Sequence, residues 1–417
     1  MSLHKFIVAF IIITSSDPAL QAENWSSWRG PNGNGVTSEK GFPSTWSTTE
    51  NVAWRIDLPA PGNSTPVTWQ DNVLLTQATA EGTKRHLTCY DLNSGKQRWQ
   101  YTATIEQVEK THNTNPHAAG SPVTDGKHIV VSFGSAGIHC VDMKGNLKWQ
   151  VDMGRLEHIW GTSASPVIFE NIVIVNCGPG VRAFWIALDI ETGEEVWKTE
   201  SQNFVSTKPE EFRGSWSTPV VHGNGADAIM FISMPLKFYA LKPRTGDILW
   251  NCDGPGKLAY TSPLVNRDVA VTMSGYGGPS LAVKRGGRGD VTESHRLWHK
   301  TERAENPQRI GSGLIIGDYI YIVNEPGIAW CMDLKTGGRL WQQRLGDSKC
   351  WSSLCLVEGK IFVVNDKGTT FVIDPNPKQC NIIHENKLAE LTRGSLAFAN
   401  GRILIRTYKS LYCIESK

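Results

Sequence analysis

The sequence lacks an excess of either charge: its 417 residues include 42 lysines and arginines against 40 aspartates and glutamates. That balance predicts neither nucleic-acid nor acidic-partner binding. Beyond the first two dozen positions no apolar run is long enough to cross a bilayer as a helix, so no transmembrane anchor is expected. No two of the nine cysteines are adjacent, and no Cys-x-x-Cys-His haem site occurs. No Asp-rich calcium loop is present either.

What the sequence does have is 40 glycines and 16 tryptophans. Many turns and many large aromatics suit an all-β fold. The N-terminus reads as an export signal. Lys5 gives a basic start, Phe6 to Ile13 an apolar core too short to span comfortably, and Ala19-Leu20-Gln21-Ala22 a small-residue cleavage site. Residues 1–22 are thus expected to be a signal peptide, with the mature chain beginning near Glu23. A periplasmic or secreted location follows. No cysteine succeeds the apolar core, so a lipid anchor is not expected.

Six segments end alike, the clearest being Cys89 to Trp99, Cys140 to Trp149, Ala187 to Trp197 and Cys331 to Trp341. Each runs from a small residue through Asp or its equivalent and Gly to Trp; Ala240 to Trp250 carries Lys for Asp, and Ala282 to Trp298 an insertion. The pattern fits two strands joined by a tight hairpin. Upstream of five of them, a small polar residue precedes Pro66, Pro122, Pro166, Pro219 and Pro263, and a β-branched run follows. Each repeat therefore reads as four antiparallel strands. The tryptophans recur every 43 to 53 residues, the period of a propeller blade. Two weaker repeats follow, and the last lacks a fourth strand. Residues 52–58 copy residues 147–153 and are expected to supply it. The prediction is a single eight-bladed all-β propeller over residues 23–417, its last blade closed by the N-terminal strand.

The Ala-x-Asp-x-x-x-Gly-x-x-x-Trp pattern resembles the tryptophan-docking motif of pyrroloquinoline-quinone (PQQ) enzymes and of BamB-like outer-membrane assembly propellers. The Trp28-Arg29-Gly30-Pro31 start and the insertion Arg285 to Asp290 further resemble a secreted bacterial branch of PQQ-like propellers. The resemblance implies indoles stacked between blades. It implies one of two roles, a binding or assembly scaffold with a protein partner, or a PQQ-dependent oxidoreductase of alcohols or sugars with PQQ and calcium as cofactors. Dehydrogenases of this type hold the quinone against a vicinal disulfide, with calcium on carboxylate and amide oxygens and an Asp base; the absences above favour the scaffold. A carbohydrate-binding module is a third reading, because exposed Trp and Tyr suit sugar faces.

Cys89, Cys140, Cys331 and Cys413 replace alanine in the repeat, so they are expected to be reduced core residues. Pairing of Cys177, Cys252, Cys350, Cys355 and Cys380 stays open. Arg288-Gly289-Asp290 spells an adhesion tripeptide but reads better as part of a Gly-rich hairpin in blade five. The polar run His112, Asn113, Asn115 and His117 reads better as a blade-connecting loop than as a metal site.

The inner strand of each blade lines the channel of a propeller. Three positions before its Pro, or equivalent, stand Asn63, Ala119, Ser163, Trp216, Tyr260, Ile310, Trp351 and Arg393. Trp160, Arg213 and Arg309 lie close by in the same connectors. The candidate ligand set is Trp160, Arg213, Trp216, Tyr260, Arg309, Trp351 and Arg393. Either these side chains stack on an aromatic or anionic ligand, or they plug the channel by packing on each other.

Overall fold

The computed structural model describes residues 23–208 and 210–416. The apolar stretch Phe6 to Ile13 and the expected cleavage site at Ala19 to Ala22 lie outside them. Eight sheets of at least four strands form eight blades of a propeller. Blade one comprises Val67–Trp69, Asn72–Ala78, Lys84–Asp91 and Gln97–Thr104, ordered from inside to outside. Blade eight comprises Ala397–Ala399, Arg402–Arg406 and Ser410–Ile414, and its fourth strand is Val52–Asp57 from the other end of the chain. That strand pairs antiparallel with Ser410–Ile414, matching Arg55 to Tyr412.

The apolar core lies between blades. One cluster joins Val67, Leu74 and Cys89 of blade one to Ile129 and Val131 of blade two. The next joins Val130 and Cys140 of blade two to Val173 and Val175 of blade three. The small residue of the repeat sits opposite the tryptophan across the outer hairpin: Cys89 faces Trp99, Cys140 faces Trp149 and Ala187 faces Trp197. Cys331 faces Trp341 and Cys413 faces Trp54 in the same way. A larger side chain there would collide with an indole. All nine cysteines are free, and burial pushes the thiols of Cys89, Cys140 and Cys413 up to about 12. They are inert as nucleophiles at neutral pH.

Every repeat tryptophan except Trp250 also reaches the next blade. The indole N–H of Trp99 donates to Met143 O at 3.1 Å, that of Trp149 to Ile190 O at 2.8 Å and that of Trp197 to Pro243 O at 2.9 Å. Trp54 of blade eight does the same to Leu92 O of blade one at 2.8 Å. At Trp54, Trp99, Trp149, Trp197 and Trp298 the indole lies over the glycine of that neighbouring hairpin. At Gly246, with φ +72°, a Cβ would stand 2.7 Å from Trp197 Cδ2, so both the backbone and the ring require glycine.

Blade four departs from the repeat. The insertion of blade five does not stay there as a hairpin. Gly289–Asp290 crosses to blade four and pairs parallel with its outer strand at Trp250 and Asn251, making a fifth strand. The short helix Thr292–His295 then returns the chain to blade five. Trp250 is 1% exposed beneath this added strand.

Candidate functional site

Two residues before each inner strand stands a Ser or Thr, and these eight residues form a closed ring. The main-chain N–H of Thr65 donates to Ser121 Oγ at 2.8 Å, Ser121 to Ser165 at 3.0 Å, Ser165 to Thr218 at 3.0 Å and Thr218 to Ser262 at 3.0 Å. Ser262 donates to Ser312 at 2.9 Å, Ser312 to Ser353 at 2.9 Å, Ser353 to Ser395 at 2.9 Å, and Ser395 back to Thr65 at 3.2 Å. The ring explains why blades six to eight keep the hydroxyl after losing the proline. Proline merely starts a strand that needs no N–H there; the hydroxyl satisfies a buried N–H of the preceding blade. Ser312→Ala should cost about 1–3 kcal/mol in urea unfolding, because the Ser262 N–H is then buried without an acceptor. A change under about 0.5 kcal/mol would remove the ring from the account of stability.

Two residues before each hydroxyl stands the position singled out in the connectors. An extended chain alternates its side chains, so both positions face the channel. Asn63, Ala119, Ser163, Trp216, Tyr260, Ile310, Trp351 and Arg393 all line one cavity of about 410 Å³. One wall is aromatic. Trp160 packs against Trp216 at 5.7 Å between centroids, and against Tyr276 at 5.9 Å with the planes 23° apart. Tyr260 meets Trp216 edge-on at 5.1 Å. Two short parallel strands, Gly214–Ser215 and Leu258–Ala259, hold these two connectors side by side. The Trp216 indole donates to Gly161 O at 2.9 Å. Burial pushes the Tyr260 phenol well above its usual range, so it stays protonated.

The opposite wall is polar. The Arg393 guanidinium covers the Trp351 ring at 4.6 Å. It also donates to Tyr408 Oη at 2.6 Å. Lys349 and Glu325 form an ion pair at 2.7 Å. His112 and Asn115 reach the cavity from the connector before blade two, and the Asn115 amide donates to Trp160 O at 2.7 Å.

Two of the expected residues are elsewhere. Arg309 is fully enclosed, donating to Asn306 Oδ1 at 3.2 Å and Glu305 O at 3.0 Å. It precedes Ile310 by one residue, and alternation turns it away from the channel. Arg213 donates to Asn203 O at 2.9 Å and does not line the cavity. His117 sits apart, beside Glu109.

Sequence reasoning missed Trp28, Tyr276, Gln308, Glu325 and Lys349 in this cavity. Trp28 arrives by an irregular route. Trp25 O and Ser26 O accept from the inner strands of blades one and two, at Thr68 and Thr124. Arg29 then donates to Gly313 O of blade six at 2.7 Å, and Gly35 O accepts from Leu356 of blade seven at 2.8 Å. The N-terminal segment thus crosses the channel, and Trp28 lines the cavity between its anchors. The only sequence signal was the Trp28-Arg29-Gly30-Pro31 start, which no repeat could place.

The sequence pattern of the family described as outer membrane protein assembly factor BamB matches residues 36–155 and 83–343. The chain belongs to this family. No curated protein matches it by sequence. Among solved structures it is similar to BamB from Moraxella catarrhalis, with TM-score 0.62 and 17% identity over 88% of this chain and 97% of that one. It is similar to a europium-containing methanol dehydrogenase, with TM-score 0.67 and 11% identity over 94% and 98% of the two chains. A quinohemoprotein alcohol dehydrogenase from Comamonas testosteroni gives TM-score 0.64 and 12% identity over 94% and 81%. At these identities the likeness is one of fold, which BamB-like and dehydrogenase propellers share.

The BamB-like cavity can therefore be tested against the quinone and calcium of the dehydrogenases. Among the described residues no aspartate lines it, and its one carboxylate, Glu325, is already paired with Lys349. Among the described residues no group of three or more His, Cys, Asp or Glu is placed to hold a metal. The donor set does not fit a calcium–quinone centre with an Asp base.

Proposed function

We propose that this protein is a non-catalytic binding propeller, an exported scaffold of the outer-membrane assembly type whose cavity holds a small ligand. The observation that supports this reading is the chemistry of the cavity wall. It offers rings, hydroxyls and amides for binding, and neither a free carboxylate base nor a metal cluster for turnover. The blades serve as a rigid frame for a protein partner, a role that the family's assembly-factor description supports. Export is supported by Phe6 to Ile13 and the Ala19 to Ala22 cleavage site, and by the family's outer-membrane description. No helix among the described residues is long and apolar enough to cross a membrane.

The test is purification of exported protein from a PQQ-supplying host, followed by dye-linked oxidation of alcohols and sugars with added PQQ and calcium. The expected result is no dye reduction above a heat-denatured control. Steady substrate-dependent reduction would replace this reading with the oxidoreductase one.

A further inference from the structure

The cavity wall carries enough chemistry to name a class of ligand, an inference that rests on the binding reading above. Its volume of about 410 Å³ lies in the ordinary range for small-ligand sites. Four members of the hydroxyl ring, Ser165, Thr218, Ser353 and Ser395, are part of its lining. Each of these oxygens accepts a main-chain N–H from the neighbouring blade. None of the four hydroxyl protons has an acceptor among the described residues, so each remains available to donate. The Gln308 amide oxygen lines the same cavity as an acceptor, and Glu325 offers its second carboxylate oxygen beside the one paired with Lys349. A ligand that only accepts leaves that second set unmatched. A polyol, which donates and accepts, matches both.

The aromatic wall points the same way. Tyr276 is 53% exposed at the rim and nearly parallel to Trp160. Phe212, 54% exposed, packs on Trp160 at 5.0 Å. Exposed ring faces held in place by further rings suit a ligand with an apolar face and a polar edge, as a pyranose has.

Charge then fixes the ligand's sign. Lys349 is neutralised by Glu325. Arg393 lines the cavity with no carboxylate partner among the described residues. One unmatched guanidinium calls for one carboxylate. PQQ carries three, and two of them would meet amides or Glu325.

We propose that the cavity binds a short acidic oligosaccharide, with a uronate carboxylate on Arg393 beside Trp351 and a neighbouring sugar ring on the Trp160–Tyr276 wall.

Calorimetry on the full mature chain tests this with glucuronosyl-xylobiose, which carries one carboxylate, and its methyl ester, in which that carboxylate is blocked. The acid should bind about 10-fold tighter than the ester, the scale of one charge-assisted pair. Arg393→Gln should erase that preference, bringing the affinity for the acid down to that for the ester. Tyr276→Ala, at an exposed position, should weaken both ligands by about 10-fold with an unchanged melting temperature. Equal binding of acid and ester, no binding of either at millimolar concentration, or tighter binding of PQQ would each overturn the proposal. Any of these leaves the non-catalytic reading standing; dye reduction with PQQ and calcium sinks that reading and leaves the sugar result intact.

Discussion

A chain lacking residues 23–60 should lose its cooperative unfolding transition at 25 °C. The deletion removes Val52–Asp57, the outer strand of blade eight, and leaves Ser410–Ile414 as an unpaired edge. Such an edge invites pairing with other chains, so the product should also aggregate. It removes three aromatics whose exposure is only 1% at Trp25, 8% at Phe42 and 3% at Trp46, all in the cluster that joins blades seven, eight and one. Losing a buried aromatic costs about 3–5 kcal/mol each. Together they amount to on the order of 10 kcal/mol, comparable with the whole net stability of a typical domain. Trp54 also goes, and with it the indole that reaches Leu92 of blade one. Circular dichroism melting is the measurement. A deleted chain that melts at the temperature of the parent would show that the ring holds without its N-terminal strand. A peptide of residues 23–60 added in trans should restore part of the transition, since the surface it pairs with remains.

The blades were legible because the repeat writes each packing demand into sequence. A small residue stands opposite each docking indole, a glycine beneath five of them, and a hydroxyl ahead of each inner strand. The same regularity brought all eight counted connector positions to one cavity. Legibility fails where the chain leaves the repeat. Arg309 was chosen for its neighbourhood, but an odd offset in an extended strand points the other way. Trp160 also has an odd offset from Ser163 and yet lines the cavity, because Gly161 turns the chain at φ +67°. Tyr276 comes from the turn between Val269–Met273 and Ser280–Lys284 of blade five, where no periodicity carries information. Nothing in the composition of Arg285 to Asp290 says that it will cross to blade four. Its partner, the edge at Trp250 and Asn251, belongs to a different repeat. The crossing of the channel by Trp25 to Gly35 is likewise a long-range arrangement, held by main-chain groups that every residue possesses.

Glu109→Ala should destabilise the protein by about 3–5 kcal/mol, the cost of stranding a buried charge. Glu109 sits in the connector between blades one and two, and its carboxylate meets Arg85 at 3.0 Å. The side chains are 1% exposed at Arg85 and 4% at Glu109. Burial pushes the Glu109 carboxyl up and the Arg85 guanidinium down, and each partner's charge opposes the other's shift. His117 Nδ1 lies 3.9 Å from the same carboxylate oxygen. Burial, aided by Arg85, brings His117 down to about 4, so it is neutral at pH 7 and does not replace Arg85 as the counter-ion. Removing Glu109 therefore leaves the guanidinium enclosed with no carboxylate. Replacing both partners, Arg85→Met with Glu109→Leu, should instead be close to neutral, because apolar groups of similar volume carry no desolvation cost. Urea unfolding of the single and double variants separates the two cases. A double variant as unstable as Glu109→Ala would mean that packing, not charge, is what the pair supplies. The ion pair also has a place in the site. It anchors the connector that carries His112 and Asn115 to the cavity wall, where Asn115 bonds to Trp160 O. The double variant should keep the fold yet loosen that wall. Its affinity for the cavity ligand should fall while its midpoint of unfolding does not.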